Sequence, residues 1–270
     1  MKVTKMHACG NDFALLEYLP DYNYSELAIK LCNRRLGIGA EGLIVLKNNP
    51  LEMILYNPEG KKELMNGNAI RCFAKYCIDE RIIRKNNFEV ITGSGIMDIE
   101  VVQEIPFLCT VNLGKPIFNN AMVYVNDVLD CFGRIITIND MEINSFTFNL
   151  AGVNTVIFVP DFDSKYLNYA EEISKYKIFM RGTNVTYAKI VNKTTIDVKT
   201  YEHGIGFVLA NGAGAAAALV AANKLGLTKL KSKINVELGV LEAVINKKGY
   251  VNITGPANTV FSCEYNEEEN

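Results

Sequence analysis

The chain reads Met65-Asn66-Gly67-Asn68-Ala69-Ile70-Arg71-Cys72 at one point and Ala210-Asn211-Gly212-Ala213-Gly214-Ala215-Ala216-Ala217 at another. Each stretch follows an extended, acid-containing segment and continues into small and apolar residues, which predicts a helix that begins near the glycine. The first turn of a helix carries unpaired N–H groups and roughly half a positive charge, so it attracts anions. A matched pair of such starts indicates two related halves, each directing a helix N-terminus at something shared.

A simpler explanation covers either stretch taken alone. Asn is a good N-cap and Gly is a good turn residue, so most single Asn-Gly steps before a helix need no ligand. The occurrence of two matching copies favours the duplicated arrangement.

Composition restricts the classes of protein to which the chain can belong. With 270 residues, 49% of them hydrophobic, it can build one large or two ordinary cores. The formal charge of −2 gives no basic surface, so we expect no nucleic-acid partner. No apolar run approaches a membrane span of about 20 residues, and the N-terminus lacks a signal-peptide core, so we expect no membrane contact and a cytoplasmic location. Seven scattered cysteines without a C-x-x-C pair, and only two histidines, predict neither a disulfide framework nor a metal site.

Periodicity predicts an α+β fold. Helical spacing covers residues 24–32, 69–83, 164–176 and 212–225, and short strand-like segments separated by Gly, Pro and Asn turns lie between them. This order suggests two successive arrays of mostly antiparallel strands, each wrapped around a central apolar helix. We expect the first half to comprise residues 1–115 with the last strand, 259–270, and the second half to comprise residues 116–258.

Short polar turns recur beside these elements. They are Gly10-Asn11-Asp12-Phe13, Gly37-Ile38-Gly39-Ala40-Glu41-Gly42, Asn57-Pro58-Glu59-Gly60, Gly182-Thr183-Asn184 and Tyr201-Glu202-His203-Gly204. Amide side chains both donate and accept hydrogen bonds, and together with helix N-termini they suit a ligand that carries carboxylate and ammonium groups. A small amino acid is the natural candidate.

The order of these segments, from Met6-His7-Ala8-Cys9-Gly10-Asn11-Asp12-Phe13 to the closing Thr254-Gly255-Pro256-Ala257, resembles the diaminopimelate epimerase family over nearly the whole chain. The resemblance implies a cofactor-independent amino-acid racemase or epimerase of lysine biosynthesis, working without pyridoxal phosphate. It also implies two pseudo-symmetric domains with the ligand, a small amino acid or carboxylate, in the cleft between them, and the family tendency makes a homodimer possible. The positions that it assigns to substrate contact are Asn11, Asn57, Gly67, Asn68, Asn184, Glu202, Gly212 and Ala213.

The chain departs from the family at the positions that carry the chemistry. The resemblance implies a cysteine before each Gly-led helix, one thiolate removing the α-proton and the other thiol delivering a proton, but this chain has Asn66 and Asn211 there. A carboxamide cannot take up a proton near neutral pH as a thiolate can, so the two-thiol mechanism is physically unavailable. His203 stands where the family has an arginine for a distal carboxylate, and it does not offer the same fork of donors. We therefore expect altered specificity or altered chemistry.

Three interpretations follow. The first is an isomerase with a replaced acid/base pair, for which Glu202 and His203 are favoured over Glu41 and Cys9; the related phenazine-biosynthesis isomerases work with a glutamate placed similarly to Glu41. The second is a non-catalytic binding protein for an amino acid or carboxylate. The third is deamidation at both Asn-Gly steps, which would create two facing carboxylates.

Overall fold

The computed structural model describes residues 1–119, 123, 130–163 and 165–266. The chain divides into two compact units. Unit 1 comprises Met1–Val111 and Gly255–Asn270, and unit 2 comprises Asn112–Thr254.

The elements follow one another in a repeated order. The first series is β1 Lys2–Ala8, β2 Asn11–Glu17, α1 Tyr24–Cys32, β3 Leu43–Lys47, β4 Glu52–Tyr56, β5 Lys62–Glu63, α2 Gly67–Asp79, β6 Asn87–Thr92, β7 Gly95–Glu104 and β8 Phe107–Asn112. The second series is β9 Phe132–Ile138, β10 Met141–Asn149, β11 Val153–Phe158, a 3-10 helix Lys165–Tyr169, α3 Ala170–Ser174, β12 Asn184–Asn192, β13 Thr195–Glu202, β14 Gly206–Val208, α4 Gly212–Lys224, β15 Lys231–Val236, β16 Gly239–Ile245 and β17 Val251–Pro256. The final strand, β18, is Asn258–Glu264.

Strand pairing shows that the two units share one topology. In unit 1, β1 pairs antiparallel with β2 and with β18, β2 parallel with β3, β3 antiparallel with β4, β4 antiparallel with β5 and parallel with β6, and β6–β7–β8 form an antiparallel run. In unit 2, β10, β11, β12, β13, β14, β15, β16 and β17 repeat these relations in the same order, and β9 takes the place of β18. The prediction of an α+β chain with two similar, mostly antiparallel halves is confirmed.

One buried helix lies at the centre of each unit. Ten of the thirteen residues of α4, from Gly212 to Ala222, are buried, and α2 buries nine of its thirteen. A helix that is apolar nearly all round must be covered on every side, and the strands of its own unit supply that cover. Burial of these helices fixes the positions of their N-terminal ends, which carry Asn66 and Asn211.

Two predicted helices have different bounds in the structure. The helix expected at 69–83 begins at Gly67 and ends at Asp79, because Glu80 caps it and Arg81 adopts a left-handed conformation with φ 59°. The helix expected at 164–176 is wrong as a continuous element, since a 3-10 helix precedes a five-residue α3 whose N-cap residue, Tyr169, makes no side-chain cap bond. Residue 164, and residues 267–270 of the predicted last strand, lie outside the described part of the chain. Within the described part, no helix has the length and apolar character to cross a membrane.

Candidate functional site

Asn66 is the N-cap of α2. Its backbone is extended (φ −134°, ψ 128°), and its Oδ1 accepts hydrogen bonds from the backbone N–H of Asn68 at 2.8 Å and of Ala69 at 3.2 Å. Local sequence explains this geometry, because Asn is a preferred N-cap and Gly67 follows without side-chain constraint. The carboxamide oxygen is therefore engaged by the helix that it begins.

A buried polar cluster lies directly behind this helix start. Asn68 donates from Nδ2 to Oδ1 of Asn11 at 3.1 Å, and both side chains are buried. Arg71 is fully buried, and its guanidinium donates to the carbonyl oxygens of Gly67 at 3.0 Å and Pro256 at 3.2 Å, and to Oδ1 of Asn68. These acceptors are all neutral. The cation therefore adds to the positive end of the helix dipole and favours an anion at the start of α2.

The cysteines near α2 do not supply the reactive thiol that the family resemblance implies at position 66. Cys9 is 2% exposed, and burial raises the pKa of its thiol although the charge of Arg71 and a hydrogen bond with it act in the opposite direction. Cys72 is completely buried, and burial raises its pKa as well. A protonated thiol is a poor base, so neither residue is prepared for proton abstraction.

The other unit 1 candidates lie in turns and ion pairs. Asn57 Oδ1 accepts a hydrogen bond from the backbone N–H of Lys61 at 2.8 Å and so closes its own turn. Glu41 is exposed, 3.9 Å from the guanidinium of Arg34, and that guanidinium holds both carboxylate oxygens of Asp12 at 2.8 and 3.0 Å. The structure thus places Glu41 in a surface ion network centred on Asp12.

Asn211 repeats the capping geometry in unit 2 and adds a carboxylate contact. Its backbone is again extended (φ −128°, ψ 113°), and its Oδ1 accepts from the backbone N–H of Gly214 at 2.6 Å. Its Nδ2 donates to Oε1 of Glu202 at 2.6 Å. Glu202 is half-buried, and burial raises the pKa of its carboxyl although the hydrogen bond from Asn211 acts in the opposite direction. A carboxyl with a raised pKa at a helix start has the properties of a general acid/base.

Close packing fixes the start of α4. A Cβ on Gly214 would lie 2.5 Å from Oγ1 of Thr186 and 2.9 Å from Oγ1 of Thr200, so only glycine permits this approach of helix and strands. Gly212, the first residue of the helix, is buried, and Ala213 is half-buried. The N-terminal N–H groups of α4 are consequently held in fixed positions.

His203 and Asn184 contact each other beside a cavity of unit 2. The backbone N–H of His203 donates to Oδ1 of Asn184 at 3.1 Å, and its ring Nδ1 is 2.9 Å from Oγ of the buried Ser174. Both residues line a cavity of about 250 Å³, together with Asn149, Val153, Arg181 and Thr183. Sequence reasoning missed Ser174 and Arg181, because Ser174 lies at the end of a helix with no local motif and the only polar signal of the turn after Arg181 is the amide of Asn184.

The fold and these helix-start sites define a class of isomerases. A family model described as diaminopimelate epimerase matches residues 3–119 and 146–260. Proteins named diaminopimelate epimerase from Caldanaerobacter subterraneus subsp. tengcongensis and from Clostridium perfringens are 33% and 34% identical to this chain; each match covers 98% of the chain, and 99% and 98% of the respective relative. The chain therefore belongs to the diaminopimelate epimerase family, as the resemblance indicated.

Solved structures of low sequence identity share the fold. A phenazine biosynthesis protein of the PhzF family from Bacillus anthracis aligns with a TM-score of 0.72 at 11% identity over 99% of both chains. A hydroxyproline epimerase from Agrobacterium vitis, solved with bound trans-4-OH-L-proline, aligns with a TM-score of 0.67 at 12% identity over 97% of this chain and 91% of that one.

Proposed function

We propose that this chain is a cofactor-independent isomerase that inverts the configuration at the α-carbon of a small amino acid, or exchanges the hydrogen there, with Glu202 as its proton-transfer group. The observation that carries the proposal is the Glu202 carboxyl of raised pKa, held 2.6 Å from Asn211 at the start of α4. A base whose pKa is moved towards neutrality is better matched to proton transfer than an ordinary carboxylate.

The proposed reaction divides the work between the Glu202 carboxyl and the start of α4. Glu202 as a carboxylate takes the α-proton and becomes a carboxylic acid, and the electron pair left on carbon is delocalised into the substrate carboxylate. The N–H groups at the start of α4, beside Glu202, stabilise that developing negative charge. Inversion follows when solvent delivers a proton to the opposite face, after which Glu202 releases its own proton to solvent.

The ligand class rests on the amide groups and on the relatives. Neutral donors and acceptors, together with helix starts, suit a zwitterion. Unit 1 offers Asn11, Asn57, Gly67 and Asn68, and unit 2 offers Asn184, Gly212 and Ala213. The curated relatives are named for diaminopimelate, and the fold neighbour from Agrobacterium vitis holds a hydroxylated proline. Both ligands are amino acids, which supports an amino-acid substrate for this chain.

Solvent exchange tests the proposal directly. The protein is incubated in heavy water with a panel of amino acids that includes LL- and meso-diaminopimelate and proline, and deuterium at the α-carbon is measured by mass spectrometry. Glu202→Gln should lower exchange by about a hundredfold to ten-thousandfold, the range for loss of a general base. The matched control is Glu171→Gln, which alters an exposed carboxylate of unit 2 that is paired with Lys175. Equal exchange by wild type and Glu202→Gln would remove Glu202 from the mechanism.

A second candidate, a non-catalytic amino-acid-binding protein, is favoured by one observation. Both polar atoms of the Asn211 side chain, and Oδ1 of Asn66, are engaged in hydrogen bonds with the protein, as expected for residues that shape a site. Calorimetric binding of a panel member without exchange of any member would establish the binder and dismiss the isomerase. Peptide mass spectrometry of the same sample tests the deamidation hypothesis, which requires Asp at positions 66 and 211 in the active material.

A further inference from the structure

His203 is held by three independent contacts although it lies on an exposed turn. Its backbone N–H is bonded to Asn184, and its ring Nδ1 lies 2.9 Å from Oγ of Ser174. The ring packs against the Cα of Gly182, where an added Cβ would lie 2.3 to 2.5 Å from three ring atoms. Ordering an exposed side chain costs entropy, and these three contacts together hold the imidazole in one orientation.

The hydrogen bonds around Ser174 determine which ring nitrogen carries the proton. Ser174 Oγ lies 2.7 Å from the carbonyl oxygen of Thr183, and a carbonyl oxygen can only accept. The single hydroxyl proton of Ser174 is used in that bond, so its oxygen can only accept from the imidazole. Nδ1 of His203 is therefore the protonated nitrogen, and in the neutral ring Nε2 carries a lone pair.

We propose that Ser174 is a positioning residue that fixes His203 in the Nδ1–H tautomer, so that Nε2 is presented to the unit 2 cavity as an acceptor for an N–H group of the ligand. An arginine, which the family resemblance places at this position, can only donate hydrogen bonds. The substitution thus reverses the hydrogen-bond polarity at this point of the cavity. At Nε2, a ligand side chain that ends in a carboxamide or another N–H donor is accepted, whereas a carboxylate has no proton to donate. This contact opposes the attraction that Arg181, which lines the same cavity, exerts on a carboxylate.

The tautomer is measured by ¹⁵N NMR of the imidazole rings. The chain has only two histidines, and they provide opposite expectations: Nδ1 of His7 accepts from the backbone N–H of Gly10 at 3.4 Å, which favours the Nε2–H form. At about pH 8.5, where ordinary imidazoles are neutral, we expect protonated Nδ1 in His203 and protonated Nε2 in His7. Protonated Nε2 in His203 of the wild type would overturn the proposal.

Two serine variants separate positioning from folding. Ser174→Ala should convert His203 towards the Nε2–H form and leave the His7 signals unchanged, while Ser174→Thr, which keeps a hydroxyl, should restore the Nδ1–H form. An unaltered His203 tautomer in Ser174→Ala refutes the role of Ser174. If the alanine variant also alters His7, Ser174→Cys takes its place: this side chain of similar size and weaker hydrogen bonding should lower the Nδ1–H fraction of His203, and an unchanged fraction in a chain whose His7 signals are native refutes the role of Ser174.

The ligand preference rests on the proposed function, and it is tested with two probes of equal size. Calorimetry should show L-glutamine binding about tenfold more tightly than L-glutamate to the wild type, the value of one additional hydrogen bond. His203→Arg should reverse this preference. Tighter binding of glutamate by the wild type, or binding of neither probe, overturns the assigned preference. The NMR result needs no turnover, so failure of α-carbon exchange would remove the proposed function without removing the tautomer assignment.

Discussion

Replacement of Asn211 by alanine should produce a pH-dependent loss of stability, because the side chain has two separate roles. It caps α4 through Gly214, and removal of an Asn cap costs about 1 kcal/mol. It also donates to Glu202 at 2.6 Å. A bond to an ionised acceptor contributes about 1.5–3 kcal/mol, and the lower value applies here because Glu202 is only half-buried. We therefore expect Asn211→Ala to lose about 2.5 kcal/mol at a pH where Glu202 is ionised.

The direction of the pH dependence follows from the raised pKa of Glu202. A carboxyl whose pKa is higher in the folded than in the unfolded state favours folding most below its unfolded pKa, and that contribution is lost as the pH rises through the folded pKa. The amide of Asn211 limits this loss by lowering the pKa, so its removal raises the pKa further. At about pH 4, below the ordinary glutamate pKa, the carboxyl is largely protonated in both states and the variant should lose only about 1 kcal/mol.

Urea unfolding of Asn211→Ala and Asn66→Ala at about pH 4, below the ordinary glutamate pKa, and at about pH 8, well above it, measures the difference. Asn66 is the matched control, because its side-chain oxygen caps α2 by accepting from the backbone N–H groups of Asn68 and Ala69. Its alanine variant should lose about 1 kcal/mol at both pH values. Equal, pH-independent losses for the two variants would refute the coupling of Asn211 to a titrating Glu202.

Two further outcomes depend on packing and on charge. Gly214→Ala should destabilise the protein by about 1–3 kcal/mol in urea unfolding, since the added Cβ would meet two threonine hydroxyls. Gly67→Ala, whose Cβ would meet nothing within 4 Å, should be neutral or stabilising by up to about 1 kcal/mol. Equal effects of the two variants would contradict the packing at α4. For Asp12, burial alone would raise the carboxyl pKa, but hydrogen bonds from Arg34 and Lys5 outweigh burial and lower it. The contribution of Asp12 to the free energy of unfolding is present above its unfolded pKa and is lost as the pH falls through its folded pKa. Asp12→Asn should therefore cost about 2 kcal/mol near neutral pH and little in acid. A loss of stability that persists in acid would exclude this ion network as its source.

Local signals in the sequence were sufficient to predict the central helices. The Asn-Gly step and the apolar run that follows it lie within one turn of each other, so Asn66 and Asn211 could be recognised as caps from neighbouring residues alone. The prediction of one helix over 164–176 was wrong, because it rested on spacing without a capping residue. Its spacing was periodic, but Tyr169 provides no cap bond, and the α-helical part is only Ala170–Ser174.

Contacts between distant residues could not be predicted in this way. The bond from Asn211 to Glu202 spans nine residues and depends on the short strand β14 folding back on β13. The contact between Ser174 and His203 spans 29 residues, and it depends on the turn before β12 carrying Gly182 beneath the ring. A sequence pattern indicates hydrogen bonds between residues that are close along the chain. The Asn211–Glu202 and Ser174–His203 contacts form only when the strands and turns pack together.

The repeated topology of the two units makes their chemical asymmetry informative. Asn57 and Glu202 each lie nine residues before the capping Asn of their unit, after β4 and at the end of β13, which are corresponding strands. In unit 1 this position carries a neutral amide that closes its own turn on Lys61, and in unit 2 it carries a carboxyl of raised pKa bonded to the cap. Both caps are carboxamides, and of the two corresponding positions only Glu202 carries a titratable side chain. The proposed isomerisation is therefore one-base chemistry, with solvent supplying the second proton, and it predicts that each turnover introduces a solvent-derived hydrogen at the α-carbon.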